Sequence, residues 1–233
     1  VNFYNLGSQN QFSVDSKKAL KKALHSYLTS IEGIERVGTT AQKKGSGLIN
    51  IELAFEDNAS QAARGFDKEG ETKLLFSYIA GTYEKLGEPD KALEYYLKKL
   101  QLIDLSDTVS VPNRAERAIV FNHLALLSHK SGLMEDAISY SLQSLQDTQA
   151  LSLSFGTNVN LFNLSQLLME NFLAGQGVDQ WRLEKLLGGL DTILEDKQYN
   201  HSSIFALVNA ANLFDVLPTE IDANNNQGNI KVS

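Results

Sequence analysis

The chain is predicted to be an all-α protein, an α-solenoid of antiparallel helix pairs. Three observations predict it. Residues 73–100 read as two amphipathic helices joined by a very short turn. A near copy of that stretch follows 45 residues later, over 118–145. Only Pro89, Pro112 and Pro218 interrupt 233 residues. Separated runs of alternating β-branched residues, the mark of a sheet, are missing.

The elements follow in order. Residues 1–14 read as irregular, with Gly7 among polar neighbours. Asp15 or Ser16 can cap the helix that follows. In that helix Ala19, Leu20, Ala23, Leu24, Tyr27, Leu28 and Ile31 recur at steps of three and four, as one apolar face requires. The helix either continues to about Lys44 or breaks at Gly38. A second helix is predicted from about Leu48 to Ala63, and Arg64–Gly70 reads as a connection.

The strongest local signal lies between Lys73 and Leu100. Phe76, Ile79, Ala80 and Tyr83 share one helical face. Gly87 ends that helix, because glycine enters the left-handed region at little cost. Pro89 suits the first turn of the next helix. There Ala92, Leu93, Tyr96, Leu97 and Leu100 form the apolar stripe. In the second copy Phe121, Leu124, Ala125, Gly132 and Ala137 stand 45 positions after Phe76, Ile79, Ala80, Gly87 and Ala92. Four of those five pairs are identical. A long-period internal repeat marks stacked helical pairs.

A weaker third copy runs from about Asn158 to Leu194. Its turn is Gly175-Gln176-Gly177, and Asp179 can cap its second helix. A last helix is predicted over about Ser202–Leu217, closed by Pro218. The polar stretch from Glu220 is expected to be mobile. The resulting division is an irregular segment over 1–14, a repeat domain over 15–217 and a polar tail over 218–233. Clear repeats fall at about 73–106 and 118–151, and weaker ones at 15–64, 158–196 and 202–217.

These residues resemble the tetratricopeptide repeat (TPR) family in its longer-repeat bacterial form. The aromatic, the Leu-small pair, the Tyr, the Gly, the Ala and the second aromatic of its unit fall on Phe76, Ile79-Ala80, Tyr83, Gly87, Ala92 and Tyr96. Lys99 departs from the small residue expected last. In the second copy Ser128 and Ser141 replace aromatics. In the third copy Arg182 stands where alanine is expected. The spacing of the copies exceeds the ~34 residues of a minimal unit. The extra length is expected as a loop near Asp104–Pro112.

Composition excludes several classes. With no cysteine, disulfides, thiolate metal sites and cysteine nucleophiles are absent. No apolar run approaches the ~20 residues that span a bilayer. The net charge of −7 argues against nucleic acid as the partner. The charge is uneven. Residues 1–44 hold seven Lys or Arg against three acidic residues, a net of +4, so the remainder is −11. Lys17, Lys18, Lys21 and Lys22 on the first helix read as a solvated face or as a contact for something acidic. The compartment stays open, with the cytoplasm preferred over the periplasm.

No catalytic constellation is apparent. His25, His123, His129 and His201 lack the i, i+4 spacing of a helical metal pair. No phosphate-binding or nucleophile-elbow motif occurs. The chain is expected to be non-catalytic, with no cofactor or metal. The resemblance implies instead a groove lined by the first helix of each pair, which holds a protein or peptide. By helical phase its residues are Tyr78 and Lys85, then Asn122, His123 and Lys130, then Asn163 and Gln166. Asn and Gln amides both donate and accept, which suits a peptide backbone. The alternative is the ligand-sensing domain of a larger bacterial signalling or transcription regulator.

Overall fold

Four helix ends among the described residues follow one local rule. In a computed structural model the described residues are 14–42, 67–105, 110–197, 199–217 and 229–230. They form α1 (Val14–Gln42), α2 (Lys68–Leu86), α3 (Pro89–Leu105), α4 (Val111–Lys130), α5 (Met134–Ala150), α6 (Ser154–Leu173), β1 (Val178–Asp179), α7 (Gln180–Asp196), α8 (His201–Val216) and β2 (Asn229–Ile230). At the end of α2, Gly87 has φ 77°. Its N–H donates to Glu84 O at 3.1 Å, and Glu88 N–H donates to Tyr83 O at 3.0 Å. This pair of bonds is the Schellman motif, and it satisfies carbonyls the helix leaves open. Gly132 repeats it with bonds to His129 and Ser128, and Gly175 with bonds to Phe172 and Asn171.

The fourth instance uses a serine. Ser152 has φ 54° between α5 and α6. Its N–H donates to Gln149 O, and Leu153 N–H donates to Thr148 O, each at 3.0 Å. A Cβ in this region is penalised, whereas glycine is not. Ser152→Gly is therefore expected to stabilise the fold by about 0.5–1 kcal/mol. A thermal or urea midpoint that fell instead would contradict the assignment.

The chain divides into two units, Val1–Leu102 and Ile103–Ser233. In the first, α1 packs along α2. Leu20, Ala23, Leu24, Leu28 and Ile31 are half-buried, while Lys17, Lys18, Lys21 and Lys22 are exposed. Ile79, Ala80, Ala92 and Tyr96 are buried. Tyr95 joins the two helices of the pair, meeting Phe76 edge-on at 5.8 Å and stacking on Tyr83 at 5.7 Å. Burial pushes the Tyr96 phenol far above its ordinary pKa. Lys99, the departure from the repeat pattern, is buried with its ammonium donating to Ser77 Oγ at 2.6 Å. A long cation replaces a small residue there because its head finds an oxygen on the facing helix.

In the second unit α6 packs closely against α5 and α8 and also contacts α7. The core runs from Ala137 and Ile138 through Leu161, Leu164 and Leu168 to Leu186, Ala206, Ala210 and Leu213. Polar ties join the helices as well. Ser144 Oγ donates to Ala118 O at 2.7 Å, and Asn160 Nδ2 donates to Thr148 Oγ1 at 3.2 Å. Arg117 on α4 holds the buried Asp147 on α5 through two bonds of 2.7 Å. Asn200 and Ser203 form a capping box that starts α8.

Three expectations need correction. Arg64–Gly70 is not all connection, since α2 begins at Lys68, capped by Asp67, whose carboxylate accepts from Gly70 N. Asp104–Pro112 is largely helical at both ends, because α3 reaches Leu105 and Ser110 caps α4 with Pro112 in its first turn. The polar tail is not uniformly free, because Asn229–Ile230 pairs antiparallel with Val178–Asp179. The first helix runs unbroken through Gly38 to Gln42. The helix expected over 48–63, most of the irregular 1–14 and Pro218 lie outside the described residues.

Candidate functional site

Helices α4 and α6 begin successive pairs, so equivalent positions on them are neighbours. Their polar side chains link in register. Asn163 Nδ2 donates to Asn122 Oδ1 at 3.0 Å, across a separation of 41 residues. Two turns further, His129 Nε2 lies 2.6 Å from Glu170 Oε2, again 41 residues apart. Gln166 Nε2 donates to the other oxygen, Glu170 Oε1, at 2.9 Å. The strip is thus knitted from within. The amide oxygen of Asn122 and both carboxylate oxygens of Glu170 are occupied by neighbouring donors. The N–H groups of Asn122 are not used in its bond to Asn163.

The expected groove residues take different roles. Asn122 and His123 are half-buried on α4, and Lys130 is exposed at its end. Asn163 is only 5% exposed, so it positions Asn122 rather than facing solvent. Gln166 is half-buried and steers Glu170. Tyr78 and Lys85 belong to the first unit. Tyr78 is 49% exposed yet stacks on Tyr27 of α1 at 5.4 Å, an aromatic platform at the surface of that unit. Lys85 is exposed in the last turn of α2.

Sequence reasoning missed a second feature. A cleft of ≈ 400 Å³ opens between α5 and α7, lined by Leu142, Gln143, Gln146, Gln149, Trp181 and Arg182 among others. Trp181 is 54% exposed, with the Lys185 ammonium 5.7 Å from its ring centroid. Arg182 explains its own departure from the repeat pattern. It spans from α7 to Glu135 on α5 with two guanidinium bonds, and also contacts Asp179 at 2.8 Å. The Arg182 hydrogen bond holds the Glu135 carboxyl below the usual carboxylate range. The three glutamines at i, i+3, i+6 beside the chain's one tryptophan were the available signal.

Among the described residues, no group of three or more His, Asp or Glu is arranged to hold a metal. No described helix is long and apolar enough to cross a membrane.

The helix pairs, their repeat spacing and their recurrent turns define a TPR-like helical-repeat fold. No protein-family model matches the chain, and no curated protein matches it. Solved structures similar to the chain include two helical-repeat proteins. BtubC (BKLC) from P. vanneervenii is 18% identical with a TM-score of 0.48, over 84% of this chain and 84% of that one. A putative kinesin light chain from Podosopora anserina, with nearly identical TPR-like repeats, is 12% identical with a TM-score of 0.46, over 85% of this chain and 83% of that one.

Proposed function

We propose that the chain is a non-catalytic scaffold that binds a protein or peptide segment along the α4–α6 face. One observation carries the reading. The bond from Asn163 occupies the Asn122 amide oxygen and fixes the direction of the Asn122 N–H groups. A pre-oriented donor suits a backbone carbonyl of an extended segment, because little rotamer freedom remains to be lost on binding. Half-buried Phe162, next to Asn163 in sequence, packs edge-on to Phe205 of α8 and leaves part of its ring as apolar surface.

The test is affinity capture with the wild-type chain, followed by titration of the captured partner. Asn122→Ala is expected to weaken binding about tenfold, the worth of one well-placed hydrogen bond. A partner held equally by wild type and Asn122→Ala would reject this face.

A second reading, a small-ligand sensor, is favoured by the cleft between α5 and α7. Trp181 is the only tryptophan of the chain, so its emission reports on that cleft directly. A ligand seated there shifts the emission, while a partner on the α4–α6 face leaves it unchanged.

A further inference from the structure

Helix α8 is buried on one side and unusually apolar on the other. Ser203, Ala206, Ala210 and Leu213 face the core. On the opposite side His201, Ile204, Val208, Ala211 and Asp215 are all exposed. Their steps of three, four, three and four set them in one stripe along the helix. Phe205 and Asn212 flank the stripe and are also exposed, with the Phe205 ring edge-on to Phe162 of α6 at 6.2 Å. Ile204 is 50% and Val208 48% exposed.

The order of residues along this face says what fits it. Turn a second α8 antiparallel about Val208. His201 then lies opposite Asp215, Ile204 opposite Asn212 and Phe205 opposite Ala211. The imidazole of each copy meets the carboxylate of the other at both ends. A parallel pairing would instead set Asp215 against Asp215. Opposed helix dipoles also favour the antiparallel arrangement.

We propose that a second copy of this chain docks here, forming a two-fold dimer through α8 with Val208 on the axis. A contact built on one helix falls near the lower end of the ~1,200 Å² that specific interfaces bury, so the dimer is weak and concentration-dependent.

Sedimentation of the full chain from low to high micromolar concentration tests this. The expected result is a rise from monomer to dimer mass. Val208→Glu sets two carboxylates on the axis and should abolish the rise; Val208 is half exposed in the monomer, so the fold survives. His201→Asp should weaken association about tenfold by facing Asp215 with a like charge. Adding Asp215→Lys to that variant should restore it, and both changes suit the helix ends they occupy. A chain that stays monomeric at every concentration overturns the proposal, as would a dimer indifferent to Val208→Glu. A foreign helix as the occupant would give that monomeric outcome.

Discussion

Arg117→Ala should lower the stability of the second unit by about 3 kcal/mol, at the modest end of the range for breaking a buried ion pair. Asp147 is 2% exposed, and Arg117 covers both its oxygens at 2.7 Å. Without that guanidinium, among the described residues only Arg114 remains close, 3.8 Å from Asp147 Oδ1. The cost arises because a carboxylate stays buried without its bonds, not because the pair itself is a large net gain. Arg117→Met combined with Asp147→Leu should therefore lose much less than Arg117→Ala alone. Urea unfolding followed through Trp181 reads this unit directly, which matters because two units need not unfold together. A double variant as unstable as the single one would show that the pair contributes more than its burial costs.

The neighbouring glycines of α7 should respond to the same change with opposite signs. A Cβ at Gly188 meets nothing within 4 Å, whereas one at Gly189 falls 2.3 Å from Leu161 Cδ2 and 3.2 Å from its Cγ. Gly188→Ala should stabilise by about 1 kcal/mol, through helix propensity alone. Gly189→Ala gains the same propensity but drives into a fully buried leucine, and should destabilise by about 1–3 kcal/mol. Leu161→Val in the Gly189→Ala background should recover part of the loss. Thermal midpoints of the three variants settle the matter. Equal shifts at 188 and 189 would mean that α6 and α7 are less closely apposed than the structure has them.

The hairpins at Gly87 and Gly132 were legible in the sequence because their signals are local: a glycine at the turn, a proline after one, and small residues at fixed offsets. The joint at Ser152 was not, since serine carries no preference for positive φ that a reader could use. That is why α6 begins at Ser154, several residues before the expected start near Asn158. The face bearing Asn122 and Asn163 followed from helical phase. The burial of Asn163 did not, because it depends on how α4 and α6 meet. Arg182 looked like a departure from the repeat until the fold joined it to Glu135, 47 residues away. The pairing of Asn229–Ile230 gave no signal at all, since two residues are too few for alternation to register.

That last pairing has a mechanical consequence. Residues 229–230 pair with the strand just before α7, where Val178 faces Ile230 and Asp179 faces Asn229. A force applied at the C-terminal side loads this short ladder before it reaches α8. The ladder is expected to yield first, as a small early step, and to shield the helix behind it until then.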